Sequence, residues 1–339
     1  MDELKTILSD SVNGLLSERV TSELIRRAEE GTFPKELWDE VEANGLTRVI
    51  VPEAQGGAGA GWADAAIVLK AAGEHVAPLP LAEGLLANWL LAEAGLDIPE
   101  GVTTLLEGEF TLEDDRLSGT ARRVPWGRDA AHGVVLVKGK AVLVPLAGAK
   151  IEPGVNVARE PRDSVTLSGV TGSAAPISLP ENAIRLFGAL VRSCQMAGAL
   201  GYLSSQSVAY ANERTQFGKP IGKFQAIQQQ LAVLSTQAAA CGVITDYACA
   251  QVEKRGADAA FEIAAAKIRV DDASGIATSI AHQVHGAIGF TYEHSLHFAT
   301  RRLWAWRAEF GAGSEWAKQL GRETIAAGAD ALWPHVTAR

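Results

Sequence analysis

Glu213-Arg214-Thr215-Gln216-Phe217-Gly218-Lys219-Pro220-Ile221-Gly222-Lys223-Phe224-Gln225-Ala226-Ile227-Gln228 decides how the chain is read. A helix runs up to this stretch and a new one starts at Phe224, so Gly218 and Pro220 mark a tight turn between two helices. Such a corner directs the Arg214 guanidinium, the amides after Gly218 and the Gln225 side chain into one small region. Fixed donors plus one guanidinium fork suit a pyrophosphate. The same residues also make an ordinary helix corner with a solvated arginine, and the physics of the stretch alone leaves both readings open.

Outward from the corner, the chain reads as helical from Glu181 almost to its end. Leu186, Leu190, Cys194 and Ala197 share a face, as do Phe224, Ile227, Leu231 and Leu234, and as do Ile263, Ala266, Val270, Ala273 and Ile280. Long amphipathic helices with short connections imply an antiparallel bundle. Upstream, Val102 to Pro180 changes to short Val- and Leu-rich runs broken by Gly, Pro and Asp. Val134 to Val144 predicts a hairpin turning at Lys138-Gly139-Lys140, with further strands at Arg116 to Val124 and Ser164 to Val170. Residues up to Gly101 return to helix: Ser9 to Glu30, Lys35 to Asn44, and Ala63 to Gly95 with an interruption at Pro78 and Pro80. Between them Pro52 and the cluster Gly56-Gly57-Ala58-Gly59-Ala60-Gly61 predict a loop whose backbone comes close to something. The expected fold is α+β, mainly α: an N-terminal helical domain (1–101), a small middle β domain (102–180) and a C-terminal four-helix-type bundle (181–339).

Composition removes several classes. A net charge of -9, from 31 basic and 40 acidic residues, is the wrong sign for nucleic acid or an anionic membrane. No run is long and apolar enough to span a bilayer, and Met1-Asp2-Glu3-Leu4-Lys5 lacks the layout of a signal peptide, so the expected location is cytoplasmic. Cys194, Cys241 and Cys249 match no zinc or redox spacing and read as core fillers.

The corner, from Glu213-Arg214-Thr215-Gln216-Phe217-Gly218 through Phe224-Gln225-Ala226-Ile227-Gln228, resembles the signature of the acyl-CoA dehydrogenase family. Gln283-Val284-His285-Gly286-Ala287-Ile288-Gly289-Phe290-Thr291 resembles a second family segment, Gln-x-x-Gly-Gly-x-Gly-Tyr/Phe-Thr, with Ala287 where a second glycine is usual. By its residues alone this segment allows either cofactor contact or tight helix packing. Leu37-Trp38 through Gly45 and Val51-Pro52-Glu53-x-x-Gly56-Gly57-x-Gly59 resemble the family's first domain, so the resemblance covers nearly the whole chain in order. It implies FAD as cofactor, with Arg214 on the pyrophosphate and Gln216, Phe217, Phe224, Gln225, Gln283, Val284, Gly286 and Ala287 on the adenine side of FAD held mainly by a neighbouring subunit. It also implies an acyl-CoA substrate dehydrogenated to the α,β-enoyl-CoA, an electron-transfer flavoprotein as onward partner, and assembly as a dimer of dimers.

Two departures bear on the reaction. The family's Thr-Glu-Pro-x-x-Gly-Ser-Asp loop, which holds the isoalloxazine ring, has no counterpart between Gly101 and Arg116. The carboxylate that removes the substrate α-proton is also missing from both places where members carry it. Aligned on Gly311, Phe310 stands in its position with Glu309 one residue away, and the alternative position falls at Phe187-Gly188-Ala189. The chain is similar in these respects to the short, partly degenerate subunits of heteromeric acyl-CoA dehydrogenases of the steroid side-chain type, in which a catalytic partner supplies ring pocket and base. No catalytic residue is assigned. The competing readings are a self-sufficient homo-oligomer with Glu309 as base, a flavin oxidase or monooxygenase of the same fold, and a flavin-free helical assembly subunit.

The remaining polar and aromatic residues have plainer expectations. His282, His285, His294 and His297 lack a ligand spacing, so no metal site is assigned. Trp304, Trp306 and Trp316 are expected to pack C-terminal helices, Arg301-Arg302 to be a solvated or interface pair, and Glu309, if not a base, a surface or capping carboxylate.

Overall fold

A computed structural model describes residues 3–337. The N-terminal part is helical: α1 (Glu3–Arg19), α2 (Ser22–Glu29), α3 (Lys35–Ala43), α4 (Trp62–Glu74) and α5 (Leu81–Glu93). The stretch expected as one helix from Ser9 to Glu30 is two, because Thr21 adopts an extended backbone and its hydroxyl accepts the Leu24 amide as an N-cap. Helix α5 is buried from Leu81 to Leu91 on every face, which makes it the central helix of this part.

Eight strands follow: β1 (Thr103–Leu105), β2 (Gly108–Glu113), β3 (Arg116–Pro125), β4 (His132–Val137), β5 (Lys140–Pro145), β6 (Lys150–Glu152), β7 (Arg162–Thr171) and β8 (Ser173–Pro176). They form two four-stranded sheets in the orders β1-β4-β5-β8 and β2-β3-β7-β6. The expected hairpin pairs Val137 with Lys140 through a turn in which Lys138 and Gly139 both have positive φ. Strands β1, β2, β6 and β8, not foreseen from sequence, are short or lie at sheet edges, where period-two patterning is weakest. Strand β3 carries a bulge: Ala121 pairs with Val165 and Val124 with Asp163, so Arg122 and Arg123 together face the single residue Ser164.

The bundle comprises α6 (Ala183–Glu213), α7 (Gln225–Arg255), α8 (Ala260–His285), α9 (Leu296–Trp306), α10 (Gly313–Ala327) and α11 (Ala329–Thr337), with a two-strand ribbon, β9 (Thr215–Gln216) and β10 (Lys219–Pro220), at the α6–α7 corner. Glycines weld α4 to α6. A Cβ on Gly73 would meet the Gln195 carbonyl oxygen at 1.9 Å, and one on Gly198 the Lys70 carbonyl oxygen at 1.9 Å. The Gly56–Gly61 loop folds back on its own chain: a Cβ on Gly57 would meet the Val51 carbonyl oxygen at 2.1 Å, and one on Gly61 the Glu253 carboxylate at 2.5 Å. No helix among the described residues is long and apolar enough to cross a membrane.

Candidate cofactor corner and reaction cleft

At the corner α6 ends because Arg214 leaves helical geometry. Its amide still donates to the Tyr210 carbonyl at 2.9 Å, and its carbonyl accepts from Ile221 at 2.8 Å, closing the ribbon. Phe217 and Gly218 both take positive φ, a type I′ pattern that a phenylalanine enters at a cost. The result is a Phe217 ring 90% exposed and edge-on to Phe224, whose ring Lys219 overlies. Arg214, Gln216 and Gln225 are exposed, and among the described residues the Arg214 guanidinium has no carboxylate partner. A strained turn that throws an aromatic ring into solvent is poor folding chemistry and good contact chemistry.

The second segment sits at the same end of the bundle. Tyr210, one turn before Arg214, stacks on His285 with ring centroids 4.4 Å apart. Helix α8 stops at Gly286, which has φ 63°, and a 3-10 turn follows over Gly286–Phe290. Gln283, Gly286, Ala287 and Phe290 are exposed, whereas Val284 packs inward and presents no side chain to a ligand. The four histidines mesh as aromatic rings: His285 lies 4.8 Å from His294, and His282 stacks on Phe290 at 4.2 Å. No group of metal-ligating side chains forms a metal site among the described residues.

At the opposite end of α6 a cleft of about 1270 Å³ opens between strands β2 and β3, the loop Gly154–Val157, and the link from α9 to α10. Here the two positions at which the resemblance places a base, Phe310 and the Phe187-Gly188-Ala189 stretch, come together, and neither holds a carboxylate. The Phe310 ring rests on Gly188, where a Cβ would meet ring Cδ1 at 2.3 Å. Phe187 is itself stacked in a buried aromatic group with Trp62 and Trp89.

Glu309 is neither a surface carboxylate nor a helix cap. Its carboxylate accepts from Arg162 Nε at 2.7 Å and lies 2.8 Å from Arg192 Nη2. Burial alone would raise its pKa, but the two guanidiniums hold it down to about 2. Behind it the network continues: Arg192 pairs with Glu83, Arg162 with Glu160, Trp306 Nε1 donates to Glu160 at 2.9 Å, and Arg302 contacts Glu29 and Glu160 at 3.3 Å. Arg302 is fully buried rather than solvated, and Trp304, unlike Trp306 and Trp316, is half-exposed at the cleft. Sequence reasoning missed this network because most of its partners are far apart in the chain, Arg162 and Glu309 by 147 residues, and meet only through the fold. Lys267 fixes the end of α9, donating to the Trp306 and Arg307 carbonyls at 3.1 and 2.9 Å; burial lowers its pKa to about 8.

Comparison with known proteins agrees with this geometry at both ends of the chain. Residues 2–97 match the acyl-CoA dehydrogenase N-terminal domain, and residues 186–327 match the acyl-CoA dehydrogenase C-terminal domain. The chain belongs to the acyl-CoA dehydrogenase family. Members of this family are FAD-dependent oxidoreductases. Acyl-CoA dehydrogenase IpdE2 of Mycolicibacterium smegmatis is 27% identical over 96% of this chain and 100% of its own length. Acyl-CoA dehydrogenase FadE34 of Mycobacterium tuberculosis is 30% identical over 81% of this chain and 40% of its own. A solved steroid acyl-CoA dehydrogenase, Tcur3481-Tcur3483 in a G363A variant, superposes with a TM-score of 0.87 at 26% identity, over 97% of this chain and 99% of that one.

The residues present fit one half of FAD. An unpaired guanidinium, three exposed glutamines (Gln216, Gln225 and Gln283) and an outward aromatic ring at one bundle end form a donor set for a diphosphate and an adenine. Along α6, Arg214 lies about 44 Å from Arg185 at the cleft, taking 1.5 Å per residue. That is longer than an extended dinucleotide, so a nucleotide gripped at Arg214 cannot place its ring in this chain's own cleft.

Proposed function

We propose that this chain is the subunit of a heteromeric FAD-dependent acyl-CoA dehydrogenase that contributes the adenine-side contacts in trans, while a related catalytic subunit supplies ring pocket and base. The reading rests on one observation: Phe310 packed on Gly188 fills the spot where a family carboxylate would stand. The nearby Glu309, held near a pKa of about 2 by Arg162 and Arg192, has little basicity with which to take an α-proton.

Within such a complex, Arg214 binds the diphosphate, Gln216 and Gln225 hydrogen-bond around it, and Phe217 and Phe224 cover the adenine. Gln283, Gly286 and Ala287 complete the wall, with Val284 holding it from within. FAD bound in the partner would supply the hydride acceptor for the substrate's β-hydrogen. The substrate class is a CoA thioester of a steroid-derived acid, supported by the similarity to a steroid acyl-CoA dehydrogenase whose name joins two components. The product is the α,β-enoyl-CoA, and an electron-transfer flavoprotein takes the electrons onward.

The test is flavin per chain. Purified alone, this chain is expected to be colourless and inactive, and co-purified with its catalytic partner it should yield one flavin per pair and turnover. Full flavin occupancy with turnover by the chain alone would overturn the proposal.

A further inference from the structure

We infer that Tyr210 and His285 are positioning residues of the cofactor corner: their stacked rings hold the segment that carries Arg214 in register with the segment that carries Gln283, Gly286 and Ala287. The two segments serve one nucleotide on the reading proposed above, and the inference rests on that reading.

The place of the stack in the chain is the first observation. Tyr210 lies one turn before Arg214, and its carbonyl accepts the Arg214 amide at 2.9 Å where α6 ends. His285 is the last residue of α8, directly before Gly286 with its φ of 63°. The two rings stack with centroids 4.4 Å apart and planes inclined by 21°. Past this contact both segments leave the core, since residues 214–219 and 286–288 are all exposed. Their relative placement is therefore set by the two helix ends, and the ring stack is where those ends meet.

The way each ring is fixed is the second. His285 is 3% exposed, and its Nδ1 donates to the Ala281 carbonyl at 2.8 Å. His294, in the link to α9, closes the group edge-on, 4.8 Å from His285 and 6.0 Å from Tyr210. Its own Nδ1 accepts the Leu296 amide at 3.1 Å, and the adjacent Ser295 hydroxyl is hydrogen-bonded to the Tyr202 hydroxyl of α6 at 2.8 Å. Gly289 lets the following 3-10 turn fold back over the group: a Cβ there would meet His285 Cβ and Leu296 Cδ2, each at 3.0 Å. Side chains locked in this way hold a binding constellation to a narrow geometry.

The third is what the stack adds. Leu200 and Leu203 of α6 and Ala273, Ala277 and Ala281 of α8 are already buried in one apolar cluster, so the helices have a packed interface without the rings. An aromatic pair contributes a preferred mutual orientation beyond the area it buries. An alkyl side chain of similar volume would cover the same surface and fix the two ends less.

Equilibrium dialysis of the assembled complex against FAD tests the assignment. Tyr210→Leu keeps apolar bulk and loses the ring, and the flavin dissociation constant should rise about three- to tenfold. Tyr210→Phe, which keeps the ring, should recover wild-type retention. His285→Leu, made from the other helix, should give a similar rise and add little to Tyr210→Leu, since each variant alone already breaks the stack. The Tyr210→Leu effect should also shrink in an Arg214→Ala background, as befits a residue that acts through the corner. In the flavin-free full-length chain, Tyr210→Leu should lower amide protection over residues 282–286, at the end of the other helix, while that of α5 holds.

Unchanged retention in Tyr210→Leu alongside weakened retention in Arg214→Ala would overturn the inference and leave the proposed function standing. Unchanged retention in both variants would overturn the two together. An equal loss in Tyr210→Phe, or full additivity with Arg214→Ala, would remove the ring stack from the cofactor corner. Loss of α5 protection along with the end of α8 would also overturn the inference, by making Tyr210 an ordinary packing residue.

Discussion

Phe310 lies so close to Gly188 that a Cβ built on the glycine would stand 2.3 Å from the ring. Phe310 itself sits at φ 53°, held by the Trp316 indole donating to its carbonyl at 3.0 Å, so the ring has little freedom to withdraw. A Gly188→Ala chain should therefore lose stability despite alanine's better helix propensity, by about 1 to 3 kcal/mol as for other overpacked cores. Urea unfolding measures it. A substitution that proves neutral or stabilising would show the ring to be loosely seated, and the blocked spot to be open to substrate.

Glu309→Gln separates structure from chemistry. Removing one partner of a buried ion pair leaves Arg162 and Arg192 short of counter-charge, and the expected loss is about 3 kcal/mol. Because the folded carboxyl titrates near 2, below its ordinary value of 4.5, the stabilisation from Glu309 is full above about pH 4.5. It disappears as pH falls from there toward about 2, and the variant should lack that part of the acid transition. Turnover per flavin in the assembled complex should be unchanged. A fall of several orders of magnitude in kcat with an intact fold would make Glu309 the base after all.

The corner and the bundle were legible in the sequence because their signals are local. Gly218 and Pro220 announce a turn, and the apolar spacing on α6 and α8 announces buried faces. The glycines of 56–61 were equally legible as a place of close approach, but what they approach is Val51 and Glu253 of the same chain, which no local pattern reveals. The ionic network was invisible for a related reason. Glu29, Glu83, Glu160 and Glu309 each look like surface carboxylates until the fold sets four arginines, Arg162, Arg192, Arg301 and Arg302, among them. Val284 shows the limit of transfer by motif: a position inside a matching segment can face inward and serve the ligand only through the backbone it steadies.

Arg214→Ala should reduce flavin retention by the assembled complex, while the isolated chain keeps its stability, since the exposed guanidinium holds no partner of its own. Charge-assisted hydrogen bonds contribute about 1.5 to 3 kcal/mol, so the flavin dissociation constant should rise roughly 10- to 100-fold. Lysine at this position keeps the charge and loses the fork, and should recover only part of the loss. Equilibrium dialysis of the complex against FAD reads both variants. Unchanged retention in Arg214→Ala would remove the corner from the cofactor site.

The histidine mesh gives the cofactor end of the bundle its own pH dependence. Burial lowers the pKa values of His282, His285, His294 and His297 below the ordinary 6.5. Between those folded values and 6.5 the unfolded segment holds more protons than the folded one. The segment is therefore stable at neutral pH and loses stability as pH falls below about 6.5. The groups facing the mesh are Tyr210 on α6, Thr300, Arg301 and Arg302 on α9, and Glu29 on α2, so a newly charged imidazole meets two guanidiniums and one carboxylate. Amide protection factors over residues 282–297, with the intrinsic pH dependence of exchange divided out, should fall as pH is lowered from about 7.5 to about 5.5 while those of α5 hold. The response should weaken in a His285→Gln/His294→Gln chain, whose 4.8 Å ring pair can no longer become two adjacent cations. Protection factors that do not change across this range would mean the mesh accepts protons without opening.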